Sequence, residues 1–155
     1  MKKLTSSFAP LALAVLAFAS VQADDKDHKH EDHKHEGHAG HMLEGYLAVS
    51  DALYKDDLAA AQKAATGMVK HDKDSALAEP ATKISEAKDI AGAREAFKTL
   101  SATAIKMAAK HGDEKYTVMN CPMVKGGSGD WLSADGKVNN PYFGAKMPHC
   151  GGPKK

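Results

Sequence analysis

The sequence predicts an all-α fold: a small antiparallel bundle of three to four helices, followed by a short β-hairpin and a sulfur-rich loop. Three observations carry this reading. Apolar residues recur at helical spacing from Leu43 to Ala108. The helical signal stops at Gly112, beyond which Gly and Pro are frequent and aliphatic residues sparse. Both cysteines and three of the seven methionines fall in that last part. They form two clusters, Met119-Asn120-Cys121-Pro122-Met123 and Met147-Pro148-His149-Cys150-Gly151.

Residues 1–23 read as an export signal rather than as part of the fold. Lys2 and Lys3 give a positive start, Leu11 to Phe18 an apolar run, and Val21-Gln22-Ala23 a small-residue cleavage site. The apolar run falls short of the roughly 20 residues that span a bilayer. No cysteine follows the cleavage site to carry a lipid, so no membrane anchor is expected. The expected location is the bacterial periplasm or the medium. Without Lys2 and Lys3 the formal charge falls from +1 to −1. A nearly neutral chain with Arg94 as its one arginine and no basic stripe argues against nucleic acid as a partner.

Residues 24–41 hold six of the nine histidines. Asp27-His28-Lys29-His30-Glu31 is repeated at once as Asp32-His33-Lys34-His35-Glu36, then loosely as Gly37-His38-Ala39-Gly40-His41. Ala39 is the sole apolar side chain there, too little to offset the entropy of ordering, so a disordered arm is expected. Histidine is the commonest metal ligand, and neutral imidazole suits Zn(II) and Cu(II). His28, His30, His33, His35, His38 and His41 are therefore candidates for secondary metal capture. A merely soluble charged arm is the plainer alternative.

The folded domain is expected over residues 42–152. Leu43, Tyr46, Leu47, Ser50, Leu53 and Tyr54 make a first helical stripe. Asp56-Asp57 supplies a turn or N-cap, and Leu58, Ala61, Ala65, Met68 and Val69 make a second stripe, giving a helical hairpin. Ala81 to Lys88 suggests a short helix, with Pro80 limiting its backward extension. The clearest helix runs from Ile90 to Lys110, with Phe97, Leu100, Ala104 and Ala108 on one side. His71 and His111, each near a helix end, fit the helix dipole better than a metal. Tyr116 to Met119 and Asp130 to Ser133 read as paired strands around a glycine loop.

Thiolate and thioether donors select Cu(I) over harder metals, and Ag(I) shares that preference. Cys121, Met123, Met147 and Cys150 are the principal candidate ligands, with Met119 and His149 as further ones. A straight strand would hold Met119 and Met123 roughly 13 Å apart, so a bend at Pro122 must select a subset. The alternative is a Cys121–Cys150 disulfide with the methionines as core filler. Trp131 is either an aromatic plug under the loops or an indole face over a bound cation.

The order Asn120-Cys121-Pro122-Met123, Trp131-Leu132, Asn140-Pro141-Tyr142-Phe143-Gly144 and Lys146-Met147-Pro148-His149-Cys150-Gly151, preceded by the helix around Ala93 to Ser101, resembles a known family. It is similar to an uncharacterised bacterial exported domain that also occurs attached to periplasmic adaptor subunits of copper and silver efflux pumps. The resemblance spans about residues 43–152, and the histidine arm stands outside the family pattern. It implies a helical bundle with a C-terminal sulfur loop, a role in heavy-metal handling with an efflux adaptor as partner, and no enzymatic reaction. The residues themselves show no nucleophile–base or carboxylate pair, so no enzyme is expected. The expected function is binding of Cu(I) in metal tolerance, by buffering or delivery. A disulfide-stapled protein-interaction module is the alternative.

Overall fold

A short turn at residues 55–57 folds the first two helices back on each other. The computed structural model describes residues 32–111, 114–126 and 128–155, with side chains from residue 37 onward. Helix α1 spans Asp32–Tyr54, α2 Leu58–His71, α3 Ala78–Ser85 and α4 Ile90–Lys110. His38, near the start of α1, lies against Asp72 at the end of α2, which fixes the antiparallel pairing. Helix α1 also packs on α4, α2 on α3 and α3 on α4, closing a four-helix bundle.

The helix starts obey simple capping chemistry. Asp57 accepts from the Ala60 N–H at 2.9 Å and Asp89 from the Gly92 N–H at 2.8 Å, each satisfying one donor that the first turn leaves unpaired. Asp56 itself adopts φ 58°, the left-handed conformation that Asp tolerates better than most residues. The apolar stripes meet inside: Leu43, Tyr46, Leu53, Ala61, Ala65, Ile84, Phe97 and Leu100 are fully buried.

Two helices differ from the sequence expectation. Helix α3 starts at Ala78, ahead of Pro80. A proline in the first turn costs little, because the N–H it lacks has no partner within the helix. Helix α1 starts at Asp32, inside the stretch expected to be a disordered arm. Ala39 and Met42 are buried and supply the tertiary support that the arm's composition did not suggest. His33 and His35 fall in the first turns of α1. His28, His30 and the expected export signal lie outside the described residues. No described helix is long and apolar enough to cross a membrane.

Beyond the bundle, β1 (Thr117–Asn120) pairs antiparallel with β2 (Asp130–Ser133), Met119 opposite Trp131 and Asn120 opposite Asp130. The expected hairpin is thus present, but it belongs to a three-stranded sheet. A third strand, β3 (Gly152–Pro153), adds to the other edge of β1. Two residues give no periodic signal, which is why the sequence does not reveal it.

A buried hydrogen-bond chain fastens this sheet to the helices. The Leu132 N–H donates to the Tyr46 hydroxyl at 3.0 Å, Tyr46 lies 2.8 Å from the Ser101 hydroxyl, and Ser101 donates to the Asp130 carbonyl at 2.7 Å. Since Ser101 spends its proton on Asp130, Tyr46 is the donor between the two hydroxyls. Burial raises the Tyr46 hydroxyl far above its ordinary pKa, so it stays protonated and keeps that role. Tyr46→Phe is expected to cost about 2 kcal/mol by leaving the Leu132 N–H and the Ser101 oxygen short of a partner. Urea unfolding of the two proteins measures it, and an unchanged midpoint would show that the chain contributes nothing net.

Candidate functional site

The two cysteines, 29 residues apart in sequence, bring their sulfurs within 3.1 Å of each other. Cys121 follows directly on β1 and is buried, while Cys150 lies in the loop before β3 and is half-exposed. Both are free thiols. The separation lies between the roughly 2.05 Å of a disulfide and the roughly 3.8 Å that two sulfurs adopt in a tetrahedral shell with metal–sulfur bonds near 2.3 Å. The hydrogen bond with Cys121 raises the Cys150 thiol above its ordinary range, with burial and charge repulsion adding to it. An open cleft of about 480 Å³, lined by Asn120, Pro122, Cys150, Gly151 and Lys154, gives access to Cys150, while Cys121 lies buried behind it.

The other candidate ligands are placed unequally. Met119 shares the inward face with Cys121, as alternation along a strand predicts, and is fully buried in the core. The chain turns at Pro122-Met123, and Met123 is 55 % exposed, the one large hydrophobic side chain so exposed among the described residues. Met147 is half-buried in the turn whose carbonyl accepts from the Cys150 N–H at 3.3 Å. His149 is exposed, and its Nδ1 lies 2.9 Å from the Val138 carbonyl, which makes that nitrogen the donor and leaves Nε2 as the free one. Trp131 is buried with its ring 6.2 Å from that of Tyr142, and Met119 pairs across from it, so it plugs the underside of the loop. Among the described residues, no group of three or more His, Cys, Asp or Glu side chains is arranged to hold a metal ion.

What holds Cys150 beside Cys121 is a set of polar residues with no ligand chemistry of their own. Asn140 is fully buried. Its amide donates to the Cys150 carbonyl at 2.8 Å, its side-chain oxygen accepts from the Tyr142 N–H at 2.9 Å, and its own N–H donates to the Pro148 carbonyl at 2.9 Å. The Tyr142 hydroxyl donates to the Asp130 carbonyl at 2.6 Å, sharing that oxygen with Ser101. Gly151 takes φ 126°, and a side chain there would collide with the Asn120 carbonyl and the Trp131 ring.

Arg94 ties this loop to the bundle. Its guanidinium donates to the Leu53 carbonyl at 2.8 Å, to the Pro141 carbonyl at 2.9 Å and to the Asp56 carboxylate. Asp56 in turn accepts from the Ala145 N–H at 2.9 Å. That N–H, followed by the Arg94 bond, holds the Asp56 carboxyl below its ordinary pKa. Gly144, at φ 52°, passes so close to Arg94 and Asp56 that a Cβ would strike both. On the opposite side, burial pushes the Asp130 carboxyl up, but hydrogen bonds from Lys154, Ser128 and Asn120 outweigh it and hold the group low. Lys154 lies 2.6 Å from Asp130 and so pins the strand that follows Cys150.

The structure brings together the two cysteines that the sequence reading singled out, and it gives Asn140, Tyr142 and Gly151, quoted there without a role, the work of holding the loop. Arg94 counted only as the lone arginine, although a single arginine set among short-range helical signals was the available hint.

Comparison with curated proteins returns no match, and neither does comparison with solved structures. The family match ends at Tyr116, before the first sulfur cluster, and is narrower than the 43–152 of the sequence resemblance. Residues 42–116 carry an uncharacterised domain, matching the family described as "Protein of unknown function (DUF3347)".

Proposed function

We propose that this is an exported copper-binding protein that holds Cu(I) between Cys121 and Cys150 and buffers it or delivers it to an efflux system. The observation that supports this reading is the 3.1 Å approach of two free thiols beside an open cleft. Copper is the cargo here, not a resident cofactor. Opening the pair by less than about 1 Å would admit an ion between the sulfurs. Two thiolates are the soft donors that Cu(I) and Ag(I) prefer, and Met123 and Met147 are thioethers close in sequence to each of them. Met123, more than half exposed, is less tied by packing than the other large apolar side chains and suits a ligand that must swing on and off an ion in transit. The histidines from His28 to His41 would collect Zn(II) or Cu(II), since imidazole is a harder donor.

The same approach of the sulfurs suits a second reading, in which Cys121 and Cys150 close a disulfide that staples a protein-interaction module in an oxidising compartment. Counting free thiols separates the two. Protein purified from the oxidising compartment should show two reactive thiols, both of which become protected when Cu(I) is added under reducing conditions. Two thiols that stay oxidised in that protein, or that remain reactive with Cu(I) present, would favour the staple.

A further inference from the structure

We infer that His38, His41 and His71 form a divalent-cation site at the end of the bundle away from the sulfur loop. It deepens the histidine half of the proposal above and rests on it, but it replaces a loose arm with a built site and adds a residue from another helix. His71 is the last residue of α2, where the helix dipole alone would account for it. In the folded chain it lies against two imidazoles of α1. Its ring centroid lies 4.6 Å from that of His38 and 5.3 Å from that of His41. His38 and His41 are three residues apart on a helix and so share one face.

The distances match the chemistry. With a zinc–nitrogen bond of about 2.0 Å, two imidazole centroids stand about 5 Å apart across a tetrahedral ion. Each α1 imidazole also has a carboxylate beside it. His38 Nε2 lies 3.4 Å from Asp72, and His41 Nδ1 lies 3.4 Å from Glu44. Carboxylates placed next to imidazoles orient the rings and raise their basicity in metal shells. The three side chains do not yet converge as a closed shell. His38 and His41 are 48 % and 64 % exposed, which leaves their rings room for the rotamer change that aims a nitrogen of each at one point.

Three imidazoles leave a fourth position for water and select a borderline ion such as Zn(II) or Cu(II) rather than Cu(I). The sulfur loop is out of reach. Tyr54, at the far end of α1, has its ring 6.5 Å from that of His149, and 16 residues of helix between His38 and Tyr54 span about 24 Å. An ion at the histidine site would therefore clamp the start of α1 onto the end of α2 and leave the thiols free.

The test uses Zn(II) titrated calorimetrically into the mature chain, into His71→Ala, and into a chain lacking residues 24–36, which removes His28, His30, His33 and His35. The deletion should retain one tight Zn(II) equivalent. His71→Ala should lose it, with affinity falling on the order of 100-fold. Asp72→Asn should weaken it by about tenfold while far-UV circular dichroism stays unchanged. Zn(II) should also raise the melting temperature of the deletion chain, and not that of His71→Ala, because the ion bridges two helices only when all three rings are present. Tight binding that survives His71→Ala but vanishes with residues 24–36 would overturn the site and leave the arm as the collector. Absence of Zn(II) binding in the mature chain would overturn both histidine readings and leave the sulfur reading standing.

Discussion

Replacing Cys121 and Cys150 together by serine should lower Cu(I) affinity by at least about 1,000-fold, the largest effect expected of any change in this chain. A serine hydroxyl is a hard donor that stays protonated at neutral pH, so a soft ion loses both anionic ligands and retains only thioethers. Competition against a chromophoric Cu(I) chelator under reducing conditions measures the loss. The fold should survive. Serine nearly matches cysteine in shape and Cys150 is half-exposed; the hydroxyl buried at position 121 should cost about 1–3 kcal/mol, which lowers the melting temperature but leaves the circular dichroism of the folded protein unchanged. Equal Cu(I) affinity in parent and variant would remove copper from the account and leave the stapled interaction module. Zn(II) binding at the histidine end should be indifferent to the change, which separates the two ligand sets within one molecule.

The second large effect is structural. Arg94→Ala should destabilise the protein by about 3 kcal/mol, because it takes the guanidinium from the Pro141 carbonyl and the Asp56 carboxylate and leaves the Leu53 carbonyl with only the Asp56 N–H as donor. A melting temperature lower by about 10 °C is the expected reading. Arg94→Lys should recover only part of the loss, since one ammonium cannot span the three acceptors that a planar guanidinium reaches. The consequence for the site is indirect. Pro141 and Ala145 flank the loop that Asn140 holds against Cys150, so releasing the latch should make the Cys150 thiol react faster with a small alkylating reagent. A variant as stable as the parent, with unchanged thiol reactivity, would show the latch to be ornamental.

The fold was legible wherever it rests on repetition. The stripes of α1, α2 and α4, the Asp56-Asp57 turn and cap, and the alternation in β1 are local, and the sequence displays them directly; the Asp89 cap of α4 was not read. The approach of Cys121 to Cys150 could be argued from ligand chemistry. Legibility ended at long-range polar contacts: Arg94 to Pro141, Tyr46 to Leu132 and Asn140 to Cys150 join residues with no shared period. The early start of α1 was hidden for a related reason. Its first turns look polar and unstructured in composition, yet Ala39 and Met42 find cover against the rest of the bundle. His71 was read by its position on one helix, whereas its neighbours come from another.

The hydrogen-bond chain from Tyr46 to Leu132, closing 86 residues of sequence, has a bearing on the order of folding. Contacts among successive helices are short in sequence and form early, whereas closing a long loop must wait until its entropy cost can be recovered. The bundle is thus expected to collapse first, with the sheet docking onto it afterwards and the Cys150 loop settling last against an existing surface. Cys121 and Cys150 close a loop of only 29 residues, so their thiols can meet transiently before the sheet has docked. Docking of the sheet is thus the step that turns a fluctuating encounter of two sulfurs into a fixed pair, with Cys121 buried and Cys150 left at the surface.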